Sequence, residues 1–427
     1  MARNVNLVIG TVLMMNSHPQ LTSIAENYGT PVWIYDADMI RRRISDLRRF
    51  DVIRYAQKAN SNIHILKLMR AEGVVADAVS EGEIVRSLAA GYEASGDPEG
   101  VVFTADVIDT STLELVLKHG ITVNAGSLDM LERLGKHAPG HKIWLRVNPG
   151  FGHGHSNKTN TGGGHSKHGI WFEDVHRAVD LIRQYKLQLV GLHMHIGSGV
   201  DYEHLARVCG ALVGVVKSFK CDIQAISAGG GLPVPYHDGE VEIDTEHYFN
   251  LWNAARREIA DFLRHPVRLE IEPGRFLLAE AGVLVAEVQG VKATPDHRFV
   301  IVDAGFNDLV RPSFYGSYHK ISVVPCDGSD VSDRPIQSVV VAGPLCEAGD
   351  VFTQVAGGTI VERDLPAPKT GDYLLFHDAG AYGAAMSSNY NSRPLAPEIL
   401  IDKGAFRQIR QIRRRQTMED LLSLEDC

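Results

Sequence analysis

Residues 50–60 read Phe50-Asp51-Val52-Ile53-Arg54-Tyr55-Ala56-Gln57-Lys58-Ala59-Asn60. The apolar run over Phe50–Arg54, broken only by charge, predicts a strand. Lys58 then falls near the strand's carboxyl end, where α/β folds carry their chemistry. A lysine set between alanines and small polar residues is expected to lose its hydration shell. Desolvation disfavours the ammonium and turns the amine into a nucleophile for aldehydes. Taken alone, such a lysine reads more readily as a surface residue at a strand end, so the rest of the chain has to decide.

Working outward, strands alternate with helices. Pro31–Tyr35 reads as a short strand, and Asp36 as the cap of a helix through Arg42. After Lys58 come a helix over Ile63–Glu72 closed by Gly73, a strand over Val74–Ser80, and a helix over Gly82–Ala90. Strands over Val101–Thr104, Ile121–Asn124 and Lys142–Val147 continue the pattern. The segment Asn148–Gly169 holds seven glycines with four histidines and reads as a long functional loop. Leu187–His195, Ala225–Ser227 and Val267–Glu272 are further strands. Roughly eight strand–helix units imply a (β/α)8 TIM-like barrel over residues 32–281. Beyond it, short strands joined by Gly/Pro turns imply an all-β C-terminal domain, formed by 282–427 with a contribution from 1–31. The tail Arg407–Leu424 has the apolar spacing of a helix.

Composition narrows the function. The chain has 427 residues, 44% hydrophobic and 22% charged, enough for two domains with cores of their own. A formal net charge of −9 argues against a nucleic-acid binder. No apolar run approaches the roughly 20 residues that span a membrane, and the start is a poor secretory signal. Five scattered cysteines without a CxxC argue against a disulfide framework, so a reducing cytoplasm is expected.

Four stretches could carry chemistry. Gly229-Gly230-Gly231 follows a strand and bares amides for an anion, as late barrel loops do for phosphate. Glu272-Pro273-Gly274-Arg275 ends the last barrel strand. Its carboxylate suits a heterocycle nitrogen, which it would keep protonated; an internal Glu–Arg pair is the plainer reading. His193-Met194-His195 puts two imidazoles on one strand face. That pair suits zinc or iron, with His153, His155, His165 and His168 in reach, although the loop spacing matches no metal signature. One of the two could instead stack on an aromatic cofactor.

Together these stretches resemble the fold-type III pyridoxal phosphate decarboxylases, which have the alanine racemase-like fold. The resemblance is carried by Tyr-Ala-Gln-Lys-Ala-Asn at Lys58, His-Met-His-Ile-Gly-Ser at His195, Gly-Gly-Gly at Gly231 and Glu-Pro-Gly-Arg at Glu272. Gly343–Asp350 and Gly380–Gly383 continue it in order and spacing. Asn307–Pro312 with Tyr315, and Ser388–Asn391, resemble the diaminopimelate decarboxylase branch. The resemblance implies that Lys58 holds pyridoxal 5'-phosphate as a Schiff base, His195 stacks on its ring and Glu272 pairs with its nitrogen. Ser198, Gly231, Gly274, Arg275 and Tyr382 would surround the phosphate. Cys346 would be the proton donor, reaching in from a partner chain of a homodimer. Arg275, Arg311, Tyr315, Glu347 and Tyr382 would contact the substrate, meso-2,6-diaminopimelate, whose conversion to L-lysine is the last step of lysine biosynthesis. No nucleic-acid or membrane partner and no metal are implied.

Charge supports the substrate. The second amino-acid head of diaminopimelate needs a cation and an anion, which Arg311 and Glu347 could supply. An ornithine or lysine decarboxylase would set a carboxylate where Arg311 stands. A pyridoxal racemase would need two bases. A non-catalytic relative would lack Lys58 or Cys346. A metal-dependent barrel hydrolase would use His193 and His195.

Overall fold

A computed structural model describes residues 18–151, 162–195, 201–403 and 408–425. The chain divides into two compact units, one made of Arg42–Val234 with Val241–Phe276, the other of the remaining described residues, Pro235–Glu240 included.

In the first unit, eight of the described strands form a closed parallel barrel. They are Val52–Ala56, Val75–Ala78, Val101–Ala105, Thr122–Ala125, Lys142–Asn148, Gln188–His193, Ala225–Ser227 and Arg268–Ile271. Closure is made where Glu270 and Ile271 pair with Val52 and Ile53. Strands covered on both faces carry near-continuous apolar runs, and every residue of Val52–Ala56 is buried. Helix starts are set by short polar caps. Ser80 accepts from the Glu83 amide, Asp109 from Thr112, Ser127 from Met130 and Asp244 from His247.

The charge inside the opening strand has a clear partner. Arg54 is 1% exposed and donates to Glu270 Oε2 at 2.8 Å and to the Glu99 carbonyl at 2.9 Å. Glu270 Oε1 accepts from Arg268 Nε at 2.8 Å. Two neighbouring barrel strands are thus joined through a buried ion pair as well as through their ladder.

The second unit is built on a mixed sheet in the order Arg363–Pro366, Ile336–Ala342, Arg298–Val302, Gly282–Ala293, Val32–Asp36, Glu398–Asp402, Gln408–Arg413. Tyr373–Phe376 pairs with both Gly282–Ala293 and Ile321–Val324. Its core gathers Leu21, Ile24, Val32, Ile34, Val283, Val285, Leu375, Ile399 and Ile401.

The boundary drawn at residue 32 needs correcting. Val32–Asp36 belongs to this mixed sheet, antiparallel to Gly282–Ala293 and parallel to Glu398–Asp402. All five of its residues are buried, and a strand covered on both faces does not disclose which sheet it enters. The tail also departs from a helix. Gln408–Arg413 is an edge strand, with Ile401 opposite Ile409, and only Met418–Leu422 is helical. Pairing to the open backbone of Glu398–Asp402 outweighs a weak helical spacing. Over Gly357–Arg363 the chain makes only a single bridge, Gln354 to Ile360, and strand pairing begins at Arg363.

Replacing Arg54 with alanine leaves Oε2 of the buried Glu270 without its cation, Arg268 holding only Oε1. The expected loss is about 3–5 kcal/mol of stability, read from urea unfolding midpoints. A midpoint equal to the parent's would show that the pair adds nothing.

Candidate active site

Four consecutive strands of the barrel, Gln188–His193, Ala225–Ser227, Arg268–Ile271 and Val52–Ala56, end on one rim. Because the sheet is parallel, residues far apart in sequence meet there. His193 Nε2 lies 2.7 Å from Glu272 Oε2, and Ser227 Oγ donates to Glu272 Oε1 at 2.9 Å. The Gly229 amide in turn donates to Ser227 Oγ at 3.1 Å. Both oxygens of the Glu272 carboxylate are therefore held.

The glycines serve close approach, and the amides of Gly229 and Gly230 are spent inside the site rather than left bare. A Cβ on Gly230 would come within 2.4 Å of the Glu272 carbonyl oxygen, and one on Gly229 within 2.7 Å of His195 Cβ. Gly229 and Gly231 have φ of +62° and +94°, in the region glycine favours. The Gly230 amide donates to His195 Nδ1 at 3.1 Å. Nδ1 therefore carries a lone pair, and a neutral ring has its proton on Nε2. The Glu-Pro-Gly-Arg turn packs on the strand that leads to Lys58, for the Ala56 amide donates to the Pro273 carbonyl at 3.1 Å.

Lys58 lies in the short 3-10 turn Gln57–Ala59. Gln57 and Ala59 are buried, and Gln57 donates to Ser87 Oγ at 2.8 Å. Lys58 itself is exposed. The expected desolvation by its neighbours is thus not found, because the turn buries the residues on either side and leaves the lysine outward. Its charge is nevertheless felt by Asp77, Glu83 and His195.

The electrostatics are divided. Burial alone would raise the Glu272 carboxyl, but the His193 and Arg54 charges and the bonds from His193 and Ser227 outweigh it and hold it down at about 2. Asp77 goes the other way: burial first, then repulsion from Glu272, lifts it to about 6, and its Oδ1 lacks a hydrogen-bond partner. His195 is kept well below the usual imidazole range by burial and by the Arg146 and Lys58 cations. Arg146, 8% exposed, is lowered by desolvation against the pull of Asp106, Glu272 and Asp77.

Other anticipated residues lie in the second unit. Arg311 opens the helix Arg311–Tyr315 and is 5% exposed, so it is no surface ion-pairing arginine. Ser313 Oγ donates to the Gly349 carbonyl at 2.9 Å, tying that helix to the turn that bears Cys346. Asp350 organises the turn by accepting from the Leu345 and Phe306 amides at 2.8 and 2.7 Å. The Cys346 amide donates to Asn391 Oδ1 at 3.0 Å, and the Ser388 amide to the Asn307 carbonyl at 2.8 Å. Three motifs quoted from the sequence therefore converge. Cys346 and Glu347 are exposed. Tyr382 has φ of +59°, an uncommon conformation for a bulky side chain.

Lys58, His195, Gly231, Glu272, Gly274 and Arg275 fall in the barrel unit; Arg311, Tyr315, Cys346, Glu347 and Tyr382 fall in the other. Ser198 lies outside the described residues, as do His153 and His155. Among the described residues, no group of three or more His, Cys, Asp and Glu side chains is arranged to hold a metal. His193, read as half of a metal pair, is bonded to Glu272 instead. Ser227, Asp77 and Asp350 were not singled out. Only the position of Ser227 and Asp77 at strand ends could have signalled them.

Residues 37–279 match the family model described as pyridoxal-dependent decarboxylase, pyridoxal binding domain, which sets the class of the molecule. The chain is 62% identical over 405 residues to diaminopimelate decarboxylase of Escherichia coli K12, covering 95% of this chain and 96% of that one. A crystal structure of diaminopimelate decarboxylase, 62% identical and covering 96% of both chains, superposes with a TM-score of 0.93. That of Helicobacter pylori diaminopimelate decarboxylase complexed with L-lysine, 32% identical, gives 0.81 over 95% of this chain and 99% of that one. The chain belongs to the diaminopimelate decarboxylase family. No described helix is long and apolar enough to cross a membrane.

A carboxyl held below its ordinary 4.5 stabilises the fold above that pH and loses its contribution as pH falls towards about 2. Replacing Glu272 with glutamine is therefore expected to lower the urea midpoint at pH 6 and to narrow the gap between the variants by pH 3. A gap that widens in acid would contradict the ionised carboxylate.

Proposed function

We propose that this chain decarboxylates meso-2,6-diaminopimelate to L-lysine and carbon dioxide with pyridoxal 5'-phosphate as cofactor, the last step of lysine biosynthesis. The observation that carries the reading is the make-up of the barrel rim: an ionised Glu272, a neutral His195 and a glycine cradle beside Lys58. These residues fit the cofactor. A fixed carboxylate suits a ring nitrogen that must stay protonated. A neutral imidazole offers a flat uncharged face. The tight turns at Gly231 and Gly274 offer their amides to an anion, with Arg275 next in the chain; Ser198 and Tyr382 are assigned here from sequence alone.

When bound, pyridoxal phosphate supplies an electron sink for the pair left as carbon dioxide departs. The protein does the rest. Lys58 would hold the cofactor covalently through its ε-amine. Glu272 keeps a proton on the ring nitrogen, and the bonds from His193 and Ser227 keep Glu272 a carboxylate. Cys346 gives the α-carbon the proton that replaces the lost carboxylate, a general-acid role worth about 10²–10⁴ in rate. Arg311 takes the distal carboxylate of the substrate and Glu347 its distal ammonium, with Arg275, Tyr315 and Tyr382 completing the contacts.

We further propose a homodimer in which Cys346 and Glu347 serve the barrel of a second copy. Their exposure in their own unit supports this. The free thiols among the described cysteines suit a reducing cytoplasm.

Carbon dioxide release from meso-diaminopimelate is expected to exceed release from L-ornithine by roughly 10⁴, because ornithine leaves the buried Arg311 without its carboxylate. Equal turnover of the two would overturn the substrate. Lys58→Ala and Cys346→Ala, each inactive alone, are expected to regain activity when mixed and reassociated, since one hybrid site then has both residues. No recovery in confirmed hybrids would show that each site draws on a single chain.

A further inference from the structure

The guanidinium of Arg311 carries donors only. Its Nη1 lies 2.9 Å from His319 Nε2, so that nitrogen must hold a lone pair. The other ring nitrogen, Nδ1, lies 2.8 Å from the His377 carbonyl oxygen and must carry the proton. One uncharged tautomer satisfies both contacts; a protonated ring would turn an N–H towards Nη1. The residue bearing that carbonyl is anchored at backbone and ring, for the His377 amide donates to the Lys320 carbonyl at 2.9 Å and its Nε2 lies 2.7 Å from Ser322 Oγ. Around this axis the Tyr236 ring lies 5.0 Å from Arg311 Cζ and meets His319 edge-on at 5.7 Å. Ser317 Oγ lies 3.4 Å from Nη2. Arg311 and His319 are 5% and 3% exposed.

From this geometry we infer that His319 is the positioning residue for Arg311, and through it a determinant of selection for a substrate with a distal carboxylate. The inference rests on the reading of Arg311 as the group that binds that carboxylate. An arginine has many rotamers, and a carboxylate is recognised by a guanidinium whose plane is already set. His319 is suited to setting it without competing, because a neutral acceptor fixes one N–H and adds no charge that would neutralise or repel the cation. A carboxylate in its place would hold Arg311 as firmly but would cancel the charge the substrate needs. His319 touches no reacting atom in this account. It acts on KM, and kcat is left to the barrel rim.

The test is a steady-state series on holoenzyme with meso-diaminopimelate, using His319→Leu, His319→Gln, Arg311→Gln and the double variant His319→Leu/Arg311→Gln. Glutamine keeps a neutral acceptor, so His319→Gln is expected to hold KM within about threefold of the parent, whereas His319→Leu raises it about tenfold or more with kcat little changed. In the Arg311→Gln background, where nothing remains to be positioned, His319→Leu is expected to add no further rise. The positioning role is overturned if His319→Leu leaves KM unchanged while Arg311→Gln raises it, or if the two effects simply multiply. An Arg311→Gln enzyme with the parent's KM would instead remove the underlying reading of Arg311, a distinguishable failure. Should His319→Leu not fold, as judged by loss of cofactor absorbance, His319→Met gives the same readout.

Discussion

The site depends on one carboxylate kept charged where burial would neutralise it. Glu272 ends its strand beneath the rim with both oxygens engaged, one by His193 and one by Ser227. The engagement is possible because the barrel is parallel and closed, so three neighbouring strands deliver their last residues to the same level. A barrel opened at Glu270–Val52 would still have the three residues in sequence, but Lys58 would no longer end the strand beside theirs. Arg54, paired with Glu270 at that seam, also contributes to the charge that Glu272 feels.

Around the carboxylate, charge alternates. Asp77 is pushed towards its protonated form by the same burial and by Glu272 itself, while His195 is pushed towards neutrality by burial and then by Arg146 and Lys58. Each group is tuned by its neighbours more than by its own identity. Perturbed groups gathered at one barrel rim are what catalysis requires of a site. In the second unit the same economy holds for geometry: one buried aspartate, Asp350, folds the Cys346 turn, and one neutral histidine sets Arg311.

Much of this was legible in the chain. Alternating strands and helices gave the barrel, and its caps at Ser80, Asp109, Ser127 and Asp244 lie where helix-start rules put them. The resemblance carried by Lys58, His195, Gly231 and Glu272 pointed to the pyridoxal-dependent class that residues 37–279 match. Less legible were facts that depend on partners distant in sequence. Val32–Asp36 is short and wholly buried, and such a strand carries no mark of its sheet. Gln408–Arg413 joins an edge whose existence the tail cannot announce. His193 looked like a metal ligand because residues two apart on a strand share a face; what it faces is Glu272, about eighty residues on, and only the fold supplies that. The exposure of Lys58 likewise follows from a turn that buries the residues on either side of it.

The central claim is that the ε-amine of Lys58 is the covalent anchor of the cofactor. The direct measurement is borohydride reduction of the cofactor-loaded enzyme, followed by proteolysis and mass spectrometry of the peptides. The account predicts a single phosphopyridoxyl mass addition on the peptide containing Lys58. A stoichiometric addition on a different lysine, with Lys58 unmodified, would contradict it.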